Sequence, residues 1–394
     1  MRIIIYSHDA FGLGNIRRML AISQHLQETI TSSSILILSG SPAIHSFRIP
    51  DGIDYIKLPC ISRDSQGSLN PSYLETDLNQ LVQLRADLIK TTVMSFQPDL
   101  LIVDKKPYGL LDELQPTLDY IKSQRLHTKL ILLLRDILDH PKATIKEWKK
   151  HDYYQAIDSY YDRILIVGTP DIFDAVREYK FPLALVKKTK YCGYIRKEMP
   201  TVGPQEIRQK IGIGDQEKLI VVTPGGGEDG YPLIDNYLDC LEVLSYSVKS
   251  IIILGREMPR KSKEALITKI AKIKNIVYLD FSLYLVNYLS AADLIVSMAG
   301  YNTITEILSL QKKVIAIPRC YPSLEQSIRV AQLEKLGLLS GIKFSELTPE
   351  RLAQKIKINL TNTTPSNYQV DFSGLDKIRQ EILELFLTKV AVDI

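Results

Sequence analysis

The sequence predicts an α/β protein with two domains, each built on a parallel sheet, and three observations support this fold class. Short, continuously apolar, β-branched runs such as RIIIYS and KLIVVTPGGG recur along the chain and alternate with amphipathic segments. Continuous rather than alternating apolar character is typical of strands covered on both faces. The alternation occurs in both halves of the 394 residues, a length that accommodates two domains of roughly 150–200 residues each.

The predicted strands form two sets separated by a change in composition. The first set is RIIIYS, SILILSG, LLIVDK, KLILLLRD and RILIVG, and the second is KLIVVTPGGG, SIIILGR, IVYLDF, LIVSMAG and KVIAIPR. Between them lie helical patterns at Ile16–Leu26, Ser72–Ser95, Asp235–Tyr246 and Leu324–Leu336. A basic segment with Pro and Gly near residues 185–203 marks the boundary. We expect domains over residues 1–190 and 191–370, followed by a helix in 371–394 whose docking the sequence leaves open.

The composition excludes several classes of protein. A net charge of +4 does not indicate a dedicated nucleic-acid-binding protein, and the four cysteines contain no CxxC that would favour a zinc site or a redox dithiol. No apolar stretch approaches the roughly 18 residues of a transmembrane helix, and the N-terminal apolar run is too short for a signal peptide. We therefore expect a cytoplasmic protein with free thiols.

The first candidate site is the glycine-containing turn after the first predicted strand, in YSHDAFGLGNIRRMLAIS. Gly12 and Gly14 allow the backbone to turn tightly and approach a ligand, and the following helix offers unpaired N–H groups. His8 and Asp9 end the strand, and Asn15 opens the helix. The alternative is an ordinary turn between strand and helix, in which His8 and Asp9 are only strand-end polar residues.

A stronger candidate is VVTPGGGEDGY, where three consecutive glycines, Gly225–Gly227, end the first predicted strand of the second half. Such a run costs folding entropy unless bare backbone is required, which favours the close approach of a ligand. It is not a P-loop, because no Lys-Ser or Lys-Thr follows. The alternative is a flexible turn.

The stretch ADLIVSMAGYNTITEIL has two interpretations. Gly300 lies between a predicted strand and a helix that begins near Asn302. Thr303 and Glu306 fit a capping box, in which Glu306 reaches back to the helix start. The same helix start is also an anion site, and a carboxylate one turn further on can accept hydrogen bonds from ribose hydroxyls. The two interpretations require different rotamers of Glu306.

Two polar residues open the next predicted helix, after VIAIPRCYPSL. The carboxylate of Glu325 and the amide of Gln326 together suit a polyhydroxylated ligand. The alternative is that both are solvated first-turn residues favoured by the helix dipole.

The order of these elements resembles the nucleotide-sugar domain of GT-B glycosyltransferases, over about residues 219–338. The chain is most similar to family 28, which includes the peptidoglycan undecaprenyl-linked N-acetylglucosaminyltransferase, and to a group of uncharacterised predicted glycosyltransferases that share the SHDAFGLGN signature. The resemblance implies two Rossmann-like domains whose parallel sheets face an interdomain cleft. It also implies that Gly225–Gly227 approach a diphosphate, to which Gly300, Asn302 and Thr303 present helix N–H groups.

The resemblance assigns the rest of the donor site as well. It implies that Glu306 holds the ribose, that Glu325 and Gln326 contact the donor sugar, and that backbone near Phe281 edges the base. The N-terminal turn would bind the acceptor.

The catalytic base is the point at which this sequence departs from its relatives. They commonly end the N-terminal glycine loop with His, where this chain has Asn15, and Asn cannot act as a general base. His8 with Asp9 is the nearest substitute, and Asp104 and Asp136 end other strands of the same domain.

The resemblance implies an inverting transfer of a hexose or N-acetylhexosamine from a nucleoside-diphosphate sugar, with UDP chosen by resemblance alone. Neither a cofactor nor a metal is expected, since backbone donors and a helix dipole can stabilise the leaving diphosphate and no DxD motif is present. The acceptor is left open among lipid-linked, glycan and small molecules. Two alternatives stay open: a UDP-amino-sugar 2-epimerase of the same fold, and a non-catalytic nucleotide-sugar-binding protein, which Asn15 favours.

A basic and apolar segment, Ala143–Arg163, raises the question of membrane contact. Trp148, with Lys146, Lys149 and Lys150, suits an interfacial helix on anionic headgroups at the inner face of the membrane. The alternative is a solvated helix with one packed aromatic side chain.

Overall fold

The computed structural model describes residues 1–8, 14–63, 68–196, 199–214, 217–244, 247–362 and 368–387. The chain forms two compact units. Unit 1 contains residues 1–195 together with 373–394, and unit 2 contains residues 196–372.

Unit 1 is built on a seven-stranded sheet in the order β3-β2-β1-β6-β7-β8-β9, in which every neighbouring pair is parallel. A short antiparallel hairpin, β4 with β5, lies outside it. The strands are β1 (Arg2–Ser7), β2 (Ser34–Ser39), β3 (Ile53–Lys57), β4 (Ile61–Arg63), β5 (Leu69–Pro71), β6 (Leu100–Asp104), β7 (Lys129–Arg135), β8 (Arg163–Val167) and β9 (Thr189–Gly193).

Helices join these strands, as the sequence periodicity predicts. They are α1 (Gly14–Thr29), α2 (Leu78–Phe96), α3 (Gln115–Ser123), α4 (Pro141–Lys150), α5 (Tyr153–Tyr160), α6 (Ala175–Glu178) and α7 (Leu183–Lys188), with short 3₁₀ turns at Ile44–Ser46 and Leu110–Asp112. The long helix α2 begins where Asp77 accepts hydrogen bonds from Asn79 N at 2.8 Å and Gln80 N at 3.3 Å, and ends at Gln97 in the left-handed conformation.

Unit 2 repeats the architecture with a six-stranded parallel sheet in the order β12-β11-β10-β13-β14-β15. Its strands are β10 (Leu219–Thr223), β11 (Lys249–Ile253), β12 (Ile276–Leu279), β13 (Leu294–Met298), β14 (Val314–Ile317) and β15 (Ser340–Gly341). Its helices are α8 (Pro204–Lys210), α9 (Tyr231–Val243), α10 (Arg260–Ile270), α11 (Leu285–Ala291), α12 (Tyr301–Ser309), α13 (Glu325–Lys335) and α14 (Pro349–Thr361), with a 3₁₀ turn at Phe344–Glu346.

The final helix, α15 (Gly374–Leu387), returns to unit 1. Arg163 pairs with Glu381, and His25 Nε2 lies 3.3 Å from Asp376 Oδ1. Gly374 N donates to Tyr194 O at 3.0 Å, next to a β-bridge between Ile195 and Ser373. The last segment of the chain, whose docking the sequence leaves open, therefore completes unit 1.

The strand interiors are apolar on both faces because helices cover both sides of each sheet. Ile3–Tyr6 of β1 and Leu219–Val222 of β10 are 0% exposed. Within the described part of the chain, no helix combines the length and the apolar character that crossing a membrane requires.

The structure decides against Trp148 as a membrane anchor. Its side chain is 3% exposed and stacks on Phe181, with ring centroids 5.4 Å apart and planes at 29°. Tyr154 adds an edge-on contact at 5.2 Å. Helix α4 therefore packs its only tryptophan into unit 1, because an indole of this size finds more apolar contact there than at a surface. The packed aromatic side chain of the alternative interpretation is confirmed.

Candidate functional site

Both sheets reverse their strand order at one point, and that point is where open α/β sheets bind ligands. In unit 1 it lies between β1 and β6, and in unit 2 between β10 and β13. Thr223 at the end of β10 pairs with Ser297 near the end of β13. The glycine-rich loop after β10 and the turn before α12 therefore start side by side at the carboxyl edge of the unit 2 sheet.

The glycine-rich loop is held by its own backbone. Gly225 and Gly227 have φ of +82° and +97°, which side chains rarely tolerate. A Cβ on Gly227 would lie 2.5 Å from the carbonyl oxygen of Leu254, so packing against the loop after β11 requires this glycine. Gly226 O accepts from Glu257 N at 2.8 Å. A Cβ on Gly226 would meet only the Glu257 carboxylate, at 2.5 Å. Packing against backbone therefore does not require a glycine at position 226.

Helix α12 starts one residue earlier than the sequence predicts, and this removes the capping box. Gly300 is the N-cap and has no side chain, and the first intrahelical bond runs from Ile304 N to Gly300 O at 3.0 Å. Thr303 is then the third helical residue and Glu306 the sixth, too far along to reach back to the cap. The capping interpretation is therefore wrong. The first-turn N–H groups, including those of Asn302 and Thr303, lie at the helix start, where a Cβ on Gly300 would meet nothing within 4 Å.

The start of α12 adjoins the glycine-rich loop. Thr303 Oγ1 lies 3.1 Å from the position that a Cβ on Gly225 would take. Gly225 N donates to Thr223 Oγ1 at 3.2 Å, which orients the beginning of the loop. The glycine-rich loop and the start of α12 therefore lie side by side, and Glu306 lies half-buried one turn along the helix.

Gln326 is a structural bridge. Its Oε1 accepts from Ala299 N and from Arg319 N, both at 3.2 Å, and the residue is 7% exposed. It joins the turn before α12 to the loop after β14. The sugar contact that the resemblance implies for Gln326 therefore falls to its amide nitrogen alone, since the oxygen already has two donors.

Glu325 is likewise engaged within the protein. Its Oε1 lies 2.6 Å from Arg329 Nη2, one helical turn away, and Arg329 Nη1 donates to Ala299 O at 3.0 Å. Arg329 is 2% exposed and its guanidinium lies 5.4 Å from the centre of the Tyr301 ring. Together with Gln326, this buried cluster fixes both backbone groups of Ala299, the residue before the N-cap of α12.

Charged side chains surround the glycine-rich loop. Arg319 Nη1 lies 3.5 Å from Asp229 Oδ2, and Glu257 and Glu228 are close by. Burial raises the pKa of Glu257, and the carboxylate of Glu228 raises it further, against the opposing charges of Arg256 and Arg319. Burial and Asp229 raise the pKa of Glu228 in the same direction. The sequence analysis assigned none of these residues, although Arg319 is visible as the charged residue that ends KVIAIPR.

Phe281 follows the edge strand β12 and is half-buried. The preceding residue, Asp280, accepts from Gly255 N at 3.0 Å, and Gly255 packs on Gly227. The loop that carries Phe281 is thus linked through Gly255 to the glycine-rich loop. The neighbouring Leu283 is 58% exposed, which leaves an apolar surface beside this backbone.

In unit 1, a buried hydrogen-bonded group occupies the switch point. Asp104 at the end of β6 is 0% exposed and pairs with Arg18 of α1, Nη2 to Oδ1 at 2.6 Å. Its other oxygen accepts from His8 N at 3.4 Å, and Asn15 Nδ2 donates to His8 O. Asn15 therefore positions the main chain at His8. The sequence motif alone does not predict this structural role.

His8 itself is 3% exposed, and Gly14 is the first residue of α1. The remaining predicted residues of this turn, Asp9 and Gly12, lie outside the described residues. Asp136, at the end of β7, accepts from Tyr194 OH and, at 2.7 Å, from Ile137 N. Asp136 and Asp104 thus both serve internal contacts, and His8 is the better candidate for a base.

A second buried ion pair, which the sequence analysis missed, supports the loop after β6. Arg85 of α2 binds Glu113 through two bonds of 2.5 and 2.6 Å, and both residues are at most 1% exposed. Tyr6 OH donates to Glu113 at 2.6 Å and accepts from Leu110 N at 2.8 Å. No local pattern identifies such a group, because its members are far apart in sequence.

The described residues contain no cluster of three or more His, Cys, Asp or Glu that could hold a metal ion. The helix start at the switch point of unit 2 carries backbone N–H groups, which suit an anion.

Comparison with known proteins agrees with this geometry. Residues 219–371 match the family model described as the glycosyltransferase family 28 C-terminal domain. An uncharacterized glycosyltransferase of Methanopyrus kandleri is 23% identical over 215 residues, 54% of this chain and 58% of that protein. The UDP-N-acetylglucosamine--N-acetylmuramyl-(pentapeptide) pyrophosphoryl-undecaprenol N-acetylglucosamine transferase of Clostridium kluyveri is 29% identical over 154 residues, 38% of this chain and 41% of that protein. The chain thus matches about half the length of these relatives, or less.

Solved structures extend the likeness to the whole chain at the level of fold. MurG of Acinetobacter baumannii superposes with a TM-score of 0.60 at 14% identity, covering 98% of this chain and 93% of that one. A putative UDP-N-acetylglucosamine 2-epimerase of Listeria monocytogenes gives a TM-score of 0.67 at 12% identity, covering 98% and 97%. The predicted GT-B fold class is confirmed, and so is the family 28 resemblance, which lies in unit 2.

Proposed function

From a unit 2 that matches the family 28 domain, we propose that the protein is a glycosyltransferase that moves a hexose or N-acetylhexosamine from a UDP-sugar to an acceptor hydroxyl. The transfer proceeds with inversion and without a metal ion. The observation that carries the proposal is that the Gly225–Gly227 loop adjoins the start of α12 at the switch point between β10 and β13.

The chemistry follows from what this meeting point offers. A departing diphosphate gains negative charge, and backbone N–H groups at a helix start stabilise such charge without reorganising. Glu306 is the sixth residue of α12 and does not cap the helix, and in this proposal its carboxylate accepts hydrogen bonds from the ribose hydroxyls. The loop at Phe281 supplies backbone and an apolar edge for the base.

The acceptor proton goes to His8 in this proposal. A base must come within about 3 Å of the attacking hydroxyl. Asp104 and Asn15 bind the main chain of His8, so the imidazole is attached to a fixed backbone. Both groups position His8 and do not themselves meet the substrate.

A lipid-linked acceptor is supported by the Clostridium kluyveri relative, which is named as a transferase to a pyrophosphoryl-undecaprenol substrate. Such an acceptor would bring this chain to the inner face of the membrane. The exposed lysines of α4, but not Trp148, remain available for headgroup contact. A glycan or a small molecule would need no such contact.

Two measurements test the proposal. A thermal-shift panel of UDP, GDP, dTDP and their sugars identifies the nucleotide, since a ligand at 100 times its dissociation constant adds roughly 2.7 kcal/mol of stability. Product analysis then separates the alternatives. Nucleoside diphosphate released only with an acceptor identifies a transferase. A converted sugar identifies an epimerase, and binding without either change identifies a non-catalytic binding protein.

A further inference from the structure

Arg319 is held between the two elements that form the proposed diphosphate site. Its N–H donates to Gln326 Oε1, the same oxygen that binds Ala299 N just before α12. Its side chain extends toward the glycine-rich segment, where Nη1 lies 3.5 Å from Asp229 Oδ2. The main chain of Arg319 is therefore fixed relative to the helix start, and its charge lies at the loop.

The bond to Asp229 is weak enough to be exchanged. A separation of 3.5 Å is at the long limit of a hydrogen bond, and the Arg319 side chain is 32% exposed. Ion pairs with that much exposure to water contribute little to stability. A guanidinium in this position can change partners without a large loss in folding free energy.

The surroundings of the loop make a cation necessary for an anionic ligand. Glu228, Asp229 and Glu257 place three carboxylates around it, opposed by Arg256 and Arg319. A diphosphate bound by backbone N–H groups alone would face this carboxylate charge at close range. Arginine binds phosphate through paired, charge-assisted hydrogen bonds, which makes it the suitable counter-ion.

We propose that Arg319 binds the diphosphate of the donor and that Asp229 is the anion it releases to do so. Asp229 therefore competes with the donor for one guanidinium. The inference rests on the proposed function, because it assigns a residue to that same donor site.

The test compares UDP with uridine by calorimetric titration, because the two ligands differ only in the diphosphate. Arg319→Gln is expected to weaken UDP binding by about 10-fold or more, the usual contribution of a hydrogen bond to a charged group, and to leave uridine binding unchanged. Asp229→Asn is expected to tighten UDP binding by a few-fold, since the competing anion is gone. Arg319→Lys keeps the charge but loses the paired geometry, so it should recover part of the affinity.

Arg260→Gln is the matched control. It removes the same charge from unit 2, at a side chain that is 92% exposed and pairs with Glu264 on α10. Its UDP affinity should equal that of the wild type. Melting curves of every variant confirm that unit 2 is folded.

The outcomes separate this inference from the proposed function. UDP affinity within two-fold of wild type in Arg319→Gln overturns the role of Arg319 alone. So does an equal loss for UDP and uridine, which would show that Arg319 only maintains the fold. A wild-type protein that binds no nucleoside diphosphate removes the proposed function and this inference together.

Discussion

Replacing Gln326 distinguishes its two roles most clearly. The family resemblance implies that this side chain contacts the donor sugar, whereas the structure gives its oxygen to Ala299 N and Arg319 N, both at 3.2 Å. Gln326→Leu has nearly the same volume but no acceptor. It would leave two main-chain N–H groups without their partner, one of them on Ala299, which is 0% exposed.

The size of the effect follows from these two bonds. A buried polar group left unsatisfied costs about 1–3 kcal/mol, and the Ala299 group is the more enclosed of the two. We expect a loss of roughly 2–4 kcal/mol in the stability of unit 2. For a domain of this size each kcal/mol lowers the melting temperature by about 2–4 °C, so the shift should be at least about 4 °C.

The assay pairs a melting curve with titrations of UDP and UDP-sugar. Because Gln326 holds the residues on both sides of the proposed phosphate site, Gln326→Leu should weaken both ligands alike. Gln326→Glu keeps an acceptor for both N–H groups, so it should retain the melting temperature. An unchanged melting temperature in Gln326→Leu, with a loss confined to the UDP-sugar, would refute the structural role and restore the sugar contact.

Four further predictions follow from the two units. Glu306→Gln should weaken donor binding by roughly 1–3 kcal/mol in calorimetry and leave the melting curve unchanged, because Glu306 does not cap α12; a lower melting temperature with normal affinity would contradict this. Gly226→Val should fold and lose nucleotide binding, whereas Gly227→Ala should destabilise unit 2 because its Cβ would lie 2.5 Å from the backbone oxygen of Leu254. Equal stability of the two variants in denaturant unfolding would argue against the packing of Gly227 on that backbone. His8→Ala should lower turnover by roughly 10²–10⁴-fold with little change in donor affinity, and near-normal turnover would remove it as the base. UDP-sugar affinity should rise as pH falls from neutral, because a bound diphosphate favours protonation of Glu257, whose pKa is already raised by burial. This gain in affinity is present below the pKa that Glu257 has in the complex and is lost as pH rises through that pKa. Glu257→Gln should flatten the pH profile, and a wild-type profile without slope would contradict the coupling.

The sequence predicts the interior of both sheets better than their edges. Runs such as RIIIYS and LIVSMAG are apolar throughout because both faces of the strand are covered, and this makes them visible without any partner. Strand β3 is different: Ile53–Lys57 is only partly buried, with Ile53 8% exposed and the rest more open. Its pairing with β2 comes from backbone hydrogen bonds, which leave no composition signal.

The same distinction applies to the site. Gly300 and the glycine run are predictable because a ligand-facing backbone requires small residues at fixed places along the chain. The helix start at Tyr301 is not, because Asn302 and Thr303 are both good capping residues and only the fold decides between them and Gly300. The roles of Gln326 and Arg319 depend on Ala299 and Asp229, which are distant in sequence, so no local pattern contains them.

The switch points of the two sheets differ in the groups that are available to bind a ligand or transfer a proton. In unit 2 the groups proposed to bind the diphosphate are main-chain N–H groups, and Arg319 is the side chain proposed to balance its charge. In unit 1 the charged groups at the strand ends are already paired, Asp104 with Arg18 and Asp136 with Tyr194. A paired, fully buried carboxylate is costly to separate from its partner, which makes these acids supports for the backbone rather than proton acceptors. The proton-transfer role proposed for the described part of unit 1 therefore stays with His8, whose main chain is held by Asp104 and Asn15.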